Sequence, residues 1–280
     1  MTENNDRGDD YSKGLTPREI FGEALRNARE TRAAGKLTQS ELARMARTSK
    51  STISRIERGV PPIGSHLPAL FDQIFETDGL FKRLYEEVVS QSYPALFRRR
   101  MAMEREAIAI REWSPTLIPG LFESPAYARA LFRFANRRAS DAEVADLVRA
   151  RLIRQELFRK EAPPKVSLIL CESALDRSIG HAHTMREQLA VLLSRSALPT
   201  TRVQVLPLNA EPHPLMDGPI TLLTTPHHLT VVSVEAFRTA SIIEDPEHVR
   251  AAMAAYDDLM SEAFSTRESA ALIRKKLEAL

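Results

Sequence analysis

The chain has little cysteine, few aromatic residues and no long hydrophobic run. Its single cysteine, Cys171, excludes an internal disulfide and a zinc site built from several cysteines. No apolar stretch approaches the length of a membrane span, and the first ten residues lack the positive start and apolar segment of a secretory signal. We therefore expect a cytoplasmic protein that makes no membrane contact.

Signatures of catalysis are also missing. The sequence contains no G-x-S-x-G, no H-E-x-x-H and no Walker loop. The side chains that suit acid–base or metal chemistry are histidines and acids spread over the second half of the chain: His181, His183, His213, Asp217, His227, His228, Glu172 and Glu235. Because loop histidines are more often solvent-exposed than metal-bound, we expect no enzyme, no cofactor and no metal site. An enzyme domain in the second half is the alternative.

Length and charge indicate two domains of different character. A chain of 280 residues with 43% hydrophobic and 27% charged residues suits a small domain joined to a medium one. The net charge of +2 is unevenly distributed, since residues 1–10 carry four acids and one arginine, whereas residues 11–60 carry eleven lysines or arginines and five glutamates. A basic segment of this size favours a polyanionic partner.

Residues 16–60 read as three short helices. The first opens at Thr16 in T-P-R-E, and the second opens at Thr38 in T-Q-S-E; both have the spacing of a capping box. The third is capped by Ser49 and ends at Gly59, a residue suited to the left-handed backbone that follows a helix. The last two helices and their tight turn have the dimensions of a helix-turn-helix motif.

The third helix, in S-K-S-T-I-S-R-I-E-R-G, has two unlike faces. Ile53 and Ile56 fall on one side at helical spacing, and the opposite side is polar and contains no acid. We predict that this polar face enters the DNA major groove, where an acid would repel phosphates. The predicted base-reading residues are Lys50, Ser51, Thr52, Ser54 and Arg55.

Other residues of the motif are predicted to hold the backbone or the fold. Gln39, Ser49 and Arg58 lie at helix ends, where side chains and free amides reach phosphates and set the register on the duplex. Glu57 points away from the polar face, and we predict that it forms a structural ion pair with Arg29 of the first helix. These residues complete the predicted site.

The second half of the chain predicts an α/β (α+β) domain with one mixed sheet. Four short runs have β character, K-V-S-L-I-L-C, T-R-V-Q-V-L-P, P-I-T-L-L-T and L-T-V-V-S-V-E, and helices lie before and between them. Trp113 is predicted to pack in the core rather than to form a recognition surface. The predicted organisation is a disordered leader (1–15), an all-α helix-turn-helix domain (16–92), a basic helical connector (93–112) and the α/β domain (113–280).

The motifs resemble a known family. L-T-Q-S-E-L-A-R-M-A followed by S-T-I-S-R-I-E-R-G is similar to the XRE, or phage-repressor-like, helix-turn-helix regulators. The segments W-S-P-T-L-I-P-G-L-F-E-S-P-A-Y-A-R-A, V-Q-V-L-P-L and H-P-L-M-D-G-P-I-T-L-L resemble the C-terminal domain of unknown function in WhiJ-like, or antitoxin-like, actinobacterial regulators. One departure is Arg47, which ends the second helix where the family often has glycine.

The resemblance implies a sequence-specific transcriptional regulator that binds double-stranded operator DNA. In this family the regulator gene often neighbours one for a short protein, which is thought to bind the regulator and modulate its DNA binding. We expect a homodimer in the cytoplasm, associated with the nucleoid, whose second domain binds that short protein or a ligand. The alternative is an antitoxin-like module whose main role is to bind the small partner.

Overall fold

The chain forms two compact units, residues 1–91 and residues 92–280. The computed structural model describes residues 15–60, 63–64, 66–90, 95–236 and 239–280. The predicted leader, residues 1–15, lies outside the described residues apart from Leu15. No helix in the described ranges is long and apolar enough to cross a membrane.

The first unit is helical. Its helices are α1 (Pro17–Thr31), α2 (Gln39–Met45), α3 (Lys50–Glu57), α4 (Leu67–Phe75) and α5 (Leu80–Ser90). Capping boxes begin α1 and α2, in which the hydroxyls of Thr16 and Thr38 accept backbone N–H groups while Glu19 and Glu41 reach back. The predicted helical N-terminal domain is therefore confirmed.

Aromatic rings hold the helices of this unit together. The rings of Phe21, Phe71 and Phe81 are fully buried, and their centroids lie 5.6–6.3 Å apart in tilted and edge-on arrangements. Asp72, also buried, accepts the backbone N–H groups of Phe81 and Lys82 and so fixes the start of α5. This core is the platform on which α2 and α3 rest.

The second unit combines helices with strands. In chain order its elements are α6 (Ala95–Glu106), β1 (Ala109–Ser114), a 3₁₀ turn (Gly120–Phe122), α7 (Pro125–Ala135), α8 (Asp141–Arg154), a second 3₁₀ turn (Gln155–Arg159), β2 (Lys165–Cys171), α9 (Glu172–Asp176), α10 (Ala182–Ser196), β3 (Thr201–Leu206), β4 (Ile220–Thr224), β5 (Thr230–Ala236), β6 (Thr239–Ile243), α11 (Pro246–Glu262) and α12 (Thr266–Glu278).

The strands form one mixed sheet of order β3-β2-β1-β4-β5-β6. Strands β1, β2 and β3 are parallel, and β4, β5 and β6 continue the sheet antiparallel from the other side of β1. Helix α11 covers one face through Tyr256 and Leu259, while α7, α9, α10 and α12 cover the other. The predicted α/β domain with a single mixed sheet is confirmed, and it contains two strands beyond the four predicted, β1 and β6.

Strand β1 lies at the centre of this sheet although its sequence, A-I-R-E-W-S, carries two adjacent charges. Glu112 is buried on the face opposite α11, where the nearest cation is Arg100 of α6 at 3.6 Å. Arg100 also binds Glu104 at 3.0 Å, and Arg154 of α8 binds the same Glu104 at 2.7 Å. A network of buried ion pairs therefore links α6 and α8 to the sheet.

Burial raises the pKa of Glu112 to about 7, and the carboxylates of Glu104 and Glu235 act in the same direction. The positive charges of Arg100 and Arg154 oppose that rise without cancelling it. Among the described atoms, Glu112 Oε2 has no hydrogen-bond partner. Glu112 is therefore the least well compensated acid of the network.

The sequence predicts a connector over residues 93–112, whereas the structure assigns the described part of that segment to the second unit. Residues 95–106 form α6, whose Arg100 is buried, and residues 109–112 begin the central strand. Trp113 follows in the same strand and is buried, with Nε1 donating to the carbonyl oxygen of Leu215 at 2.8 Å. The tryptophan therefore packs in the core.

Candidate nucleic-acid interface

Helices α2 and α3 pack on each other through small and branched apolar side chains. Leu42, Ala46, Ile53 and Ile56 are fully buried, and Ala43 is nearly so. The spacing of the two isoleucines turns one side of α3 into this core, so the other side faces outward. The polar face of α3 is thus set by local sequence.

The turn between α2 and α3 is tight because Arg47 adopts a left-handed backbone, with φ of 51°. The N–H of Thr48 donates to the carbonyl of Ala43 at 2.8 Å, and the N–H of Arg47 donates to that of Arg44 at 3.2 Å. This is the hydrogen-bond pattern of a Schellman motif, in which glycine is the usual left-handed residue. Arginine here keeps the turn at some cost in backbone strain.

Helix α1 approaches the end of α3 closely. A Cβ atom added at Gly22 would lie 2.5 Å from the carbonyl oxygen of Ile56 and 2.9 Å from that of Glu57. Because both neighbours are backbone atoms, they have no flexible side chain that could move away. Glycine therefore allows α1 to touch the last turn of α3.

Glu57 ties α3 to both other helices of the motif. Its buried carboxylate accepts from Arg29 Nε at 2.6 Å, from Arg29 Nη2 at 3.0 Å and from Gln39 Nε2 at 2.9 Å. Burial raises the pKa of Glu57. The hydrogen bonds from Arg29 and Gln39 and the charges of Arg29 and Arg26 lower it by more, so the pKa lies below its ordinary value. The carboxylate stays ionised and holds the helix in place.

The residues predicted to read bases differ in their exposure along α3. Lys50 and Ser51 are exposed at its amino end, and Thr52, Ser54 and Arg55 are half-buried. The one acid within Lys50–Glu57 is Glu57, and its side chain is buried. The described outer face of α3 therefore offers hydroxyls and cations without a carboxylate.

The residues predicted to bind phosphate have different surroundings. Ser49 caps α3 by accepting the N–H of Thr52 at 3.1 Å, and Arg58 is exposed at the far end, where its Nε donates to the carbonyl of Ser54 at 3.2 Å. Gln39 donates one amide hydrogen to Glu57. The second hydrogen of that amide is the one left for a phosphate oxygen.

Two arginines near the turn were not predicted from the sequence to contact DNA. Arg44, in the last turn of α2, and Arg47 are both exposed. They bring positive charge close to the amino end of α3, where backbone N–H groups already favour an anion. The signal that would have identified them is their position beside the turn, since a count of charge over residues 11–60 does not separate them from other basic residues.

Three of the histidines considered as catalytic or metal-binding candidates in the second unit make ring contacts. The rings of His181 and His183 stack with centroids 5.7 Å apart, while the ring of His213 lies edge-on against Trp113. Across the described ranges, no group of three or more His, Cys, Asp or Glu residues is arranged to hold a metal ion. Desolvation lowers the pKa of His213.

Two helices joined by a left-handed turn, with an outward face of hydroxyls and cations, define a helix-turn-helix protein of the DNA-binding class. Residues 25–65 match the family model described as Helix-turn-helix, which supports an XRE-type motif. Residues 97–275 match the family described as Domain of unknown function (DUF5753). That match spans well over half of the chain, so the chain belongs to the DUF5753 family and carries a helix-turn-helix domain ahead of the DUF5753 domain.

Comparison with curated proteins gave no match, and comparison with solved structures gave none either.

Proposed function

We propose that this protein is a sequence-specific transcriptional regulator that binds operator DNA through α3. The observation that carries the proposal is the acid-free outer face of α3, fixed by a buried Glu57 and flanked by exposed arginines. Hydroxyls and guanidinium groups suit the donor and acceptor pattern of base edges in the major groove. A cytoplasmic site of action, at the nucleoid, is part of the proposal.

A homodimer is also part of the proposal. One eight-residue helix reads too few base pairs for specificity in a genome, and helix-turn-helix proteins solve this by binding two half-sites about 34 Å apart. Operators selected from random duplexes with the full chain should therefore contain two related half-sites at that spacing. A single half-site would contradict the dimer.

Arg55 and Arg58 should affect binding in different ways. We expect Arg55→Ala to lose roughly 1–3 kcal/mol at the selected operator and little on scrambled duplexes, because a bidentate contact to guanine is lost. Arg58→Ala should weaken binding to all duplexes alike and lower the slope of log affinity against log salt by about one, because a phosphate contact is lost. Fluorescence anisotropy over a salt series measures both effects.

Two further variants sharpen that test. Arg55→Lys keeps the charge but loses the planar fork, so it should behave like Arg55→Ala on the operator while keeping the salt slope. Lys82→Ala removes an exposed cation of α5 in the same domain and should change neither property. Equal losses on operator and scrambled DNA from Arg55→Ala would refute its base-reading role.

The proposal for the second domain is that it binds a modulator, either a short protein encoded by a neighbouring gene or a ligand. The resemblance to WhiJ-like regulators supports the first, and we assign no catalysis to this domain. Operator affinity measured with and without the neighbouring short protein tests the idea: a change supports modulation, and a constant affinity rejects it. An antitoxin-like role would instead give tight partner binding whose loss harms the cell even when the operator is deleted.

A further inference from the structure

A groove of about 480 Å³ opens on the α11 side of the sheet, near the amino ends of β1 and β2. Its walls combine apolar side chains, Leu222 and Met253, with the hydroxyls of Thr224 and Thr230 and the cations Arg111 and Lys165. The volume lies within the range of small-molecule sites, which are mostly apolar with a few convergent polar groups. No catalytic or DNA-binding role accounts for this groove.

The two cations are brought together by strand pairing. Ala109 pairs with Lys165 and Arg111 pairs with Ser167, so Arg111 and Lys165 are diagonal neighbours on adjacent parallel strands. Ile110, which precedes Arg111, and Val166, which follows Lys165, belong to the core on the opposite face. Both cations therefore extend from the same face of the sheet, where like charges repel.

The groove carries one uncompensated positive charge. Arg111 Nη1 lies 3.1 Å from Asp257 Oδ1 of α11, and about half of each side chain is exposed. In the part of the chain that the structure describes, Lys165 is exposed and makes no salt bridge with a carboxylate. A single negative charge from outside would balance the groove.

We propose that this groove binds a small organic anion that joins one negative headgroup to a short apolar body. The headgroup pairs with Lys165 and Arg111 and accepts from the hydroxyl pair of Thr224 and Thr230, whose Oγ1 atoms lie 2.9 Å apart. The apolar body packs against Leu222, which is buried, and against Met253, whose flexible thioether adapts to different shapes. A carboxylate on a hydrocarbon chain has this chemistry.

The role of the ligand as a modulator rests on the proposed function, whereas its binding to the groove does not. Binding is measured on the full chain without DNA, by titration calorimetry with sodium octanoate as the probe. 1-Octanol serves as its uncharged counterpart, and inorganic phosphate as an anion without an apolar body. We expect one saturable site for octanoate and about tenfold weaker binding of 1-octanol and of phosphate.

Variants locate the site. Lys165→Gln and Arg111→Gln should each weaken octanoate binding about tenfold, because each removes a charged donor from the groove. Arg274→Gln makes the same charge change at an exposed position of α12, on the other side of the sheet, and should leave binding unchanged. Equal losses from all three variants, equal binding of octanoate and 1-octanol, or no saturable binding would each overturn the proposal, and phosphate binding as tight as octanoate would overturn the organic class.

The DNA-binding proposal is tested independently of the groove proposal. Arg55→Ala should bind octanoate like the unsubstituted chain, and Lys165→Gln should bind operator DNA like the unsubstituted chain when octanoate is absent. If octanoate binds at the groove but the full chain shows no operator preference, the groove stands and the regulator proposal falls. If octanoate does not bind while Arg55→Ala loses operator preference, the groove proposal falls alone.

Discussion

Glu57 links α3 to two other helices through a buried carboxylate. Its carboxylate is buried at the end of that helix, and Arg29 and Gln39 satisfy it from two other helices. Removing one member of a buried ion pair leaves the other charge without compensation, which costs far more than an exposed pair contributes. The fixed orientation of the outer face of α3 is therefore tied to this carboxylate.

We predict that Glu57→Gln lowers the free energy of unfolding of the first domain by about 3 kcal/mol, because Arg29 loses its buried charged partner. Glu30→Gln is the matched control, since Glu30 also contacts Arg29, at 3.2 Å, but is exposed. That variant should cost less than about 0.5 kcal/mol. Urea unfolding followed by circular dichroism measures both, and similar losses in the two variants would show that burial of Glu57 is unimportant.

At the scale of elements, the turn between α2 and α3 contains backbone strain that a single substitution can relieve. Arg47 is left-handed at a position that glycine occupies at little cost. Arg47→Gly should raise the free energy of unfolding of the first domain by about 1 kcal/mol, although the greater freedom of glycine in the unfolded chain offsets part of the gain. Calorimetric melting of the full chain reports the change as an upward shift of the transition of that domain.

The matched control is Arg47→Ala, which removes the same charge and side chain but keeps the Cβ atom responsible for the strain. It should leave the melting temperature where it is. If alanine stabilises the domain as much as glycine does, the gain comes from removing an arginine beside other cations and the backbone explanation is wrong.

Elements specified by local signals were predictable from sequence. Helix α3 has its cap in Ser49, its buried face in two isoleucines and its end in Gly59, all within eleven residues, and the structure places the helix at Lys50–Glu57. The hydrogen bond from Gln39 to Glu57 was not predictable, because it joins residues of different helices whose approach depends on the whole domain. The predicted phosphate role of Gln39 stays a prediction.

Strand β1 shows why sequence alone missed part of the sheet. A-I-R-E-W-S follows a helical pattern and holds Arg111 and Glu112, a composition unusual for a central strand. Its place depends on Arg100 to accompany Glu112, and on pairing with β4, which follows much later in the chain. Both are tertiary effects that the hydrophobic periodicity of the local sequence does not show. Strand β6 was missed because T-A-S-I-I has only two large apolar residues, Ile242 and Ile243, too few to give a clear strand pattern.

For the whole molecule, we predict that the second domain becomes less stable as pH rises from about 4.5 to about 7. The pKa of Glu112 is raised from 4.5 to about 7 in the folded state, so over this interval the unfolded chain loses a proton that the folded chain retains. The loss is complete above pH 7. Calorimetric scans at pH 5, 6, 7 and 8 measure it.

Glu112→Gln isolates the effect of this acid from other groups that titrate. The variant should match the unsubstituted chain near pH 5 and exceed it by roughly 1–3 kcal/mol at pH 8, because the amide needs no proton to remain neutral. The first domain should not respond over this range. The pKa of Glu57 lies below its ordinary 4.5, so the stability from Glu57 is present above that pH and is lost only in more acidic solution.

A variant difference that is the same at pH 5 and pH 8 would show that Glu112 does not titrate between them. Equal pH responses of both domains would point to a common cause in net charge rather than to a single buried acid.

The order of the strands also has a consequence for synthesis on the ribosome. The core of the first unit uses residues that precede Gln91, whereas Ala109 of β1 pairs with Thr224 of β4. Chains are made from the amino end, and non-local pairing waits until both partners have emerged. The helix-turn-helix unit therefore completes its fold first, and every nascent chain passes through a stage in which that unit is folded while the central strand of the sheet still lacks its neighbour β4.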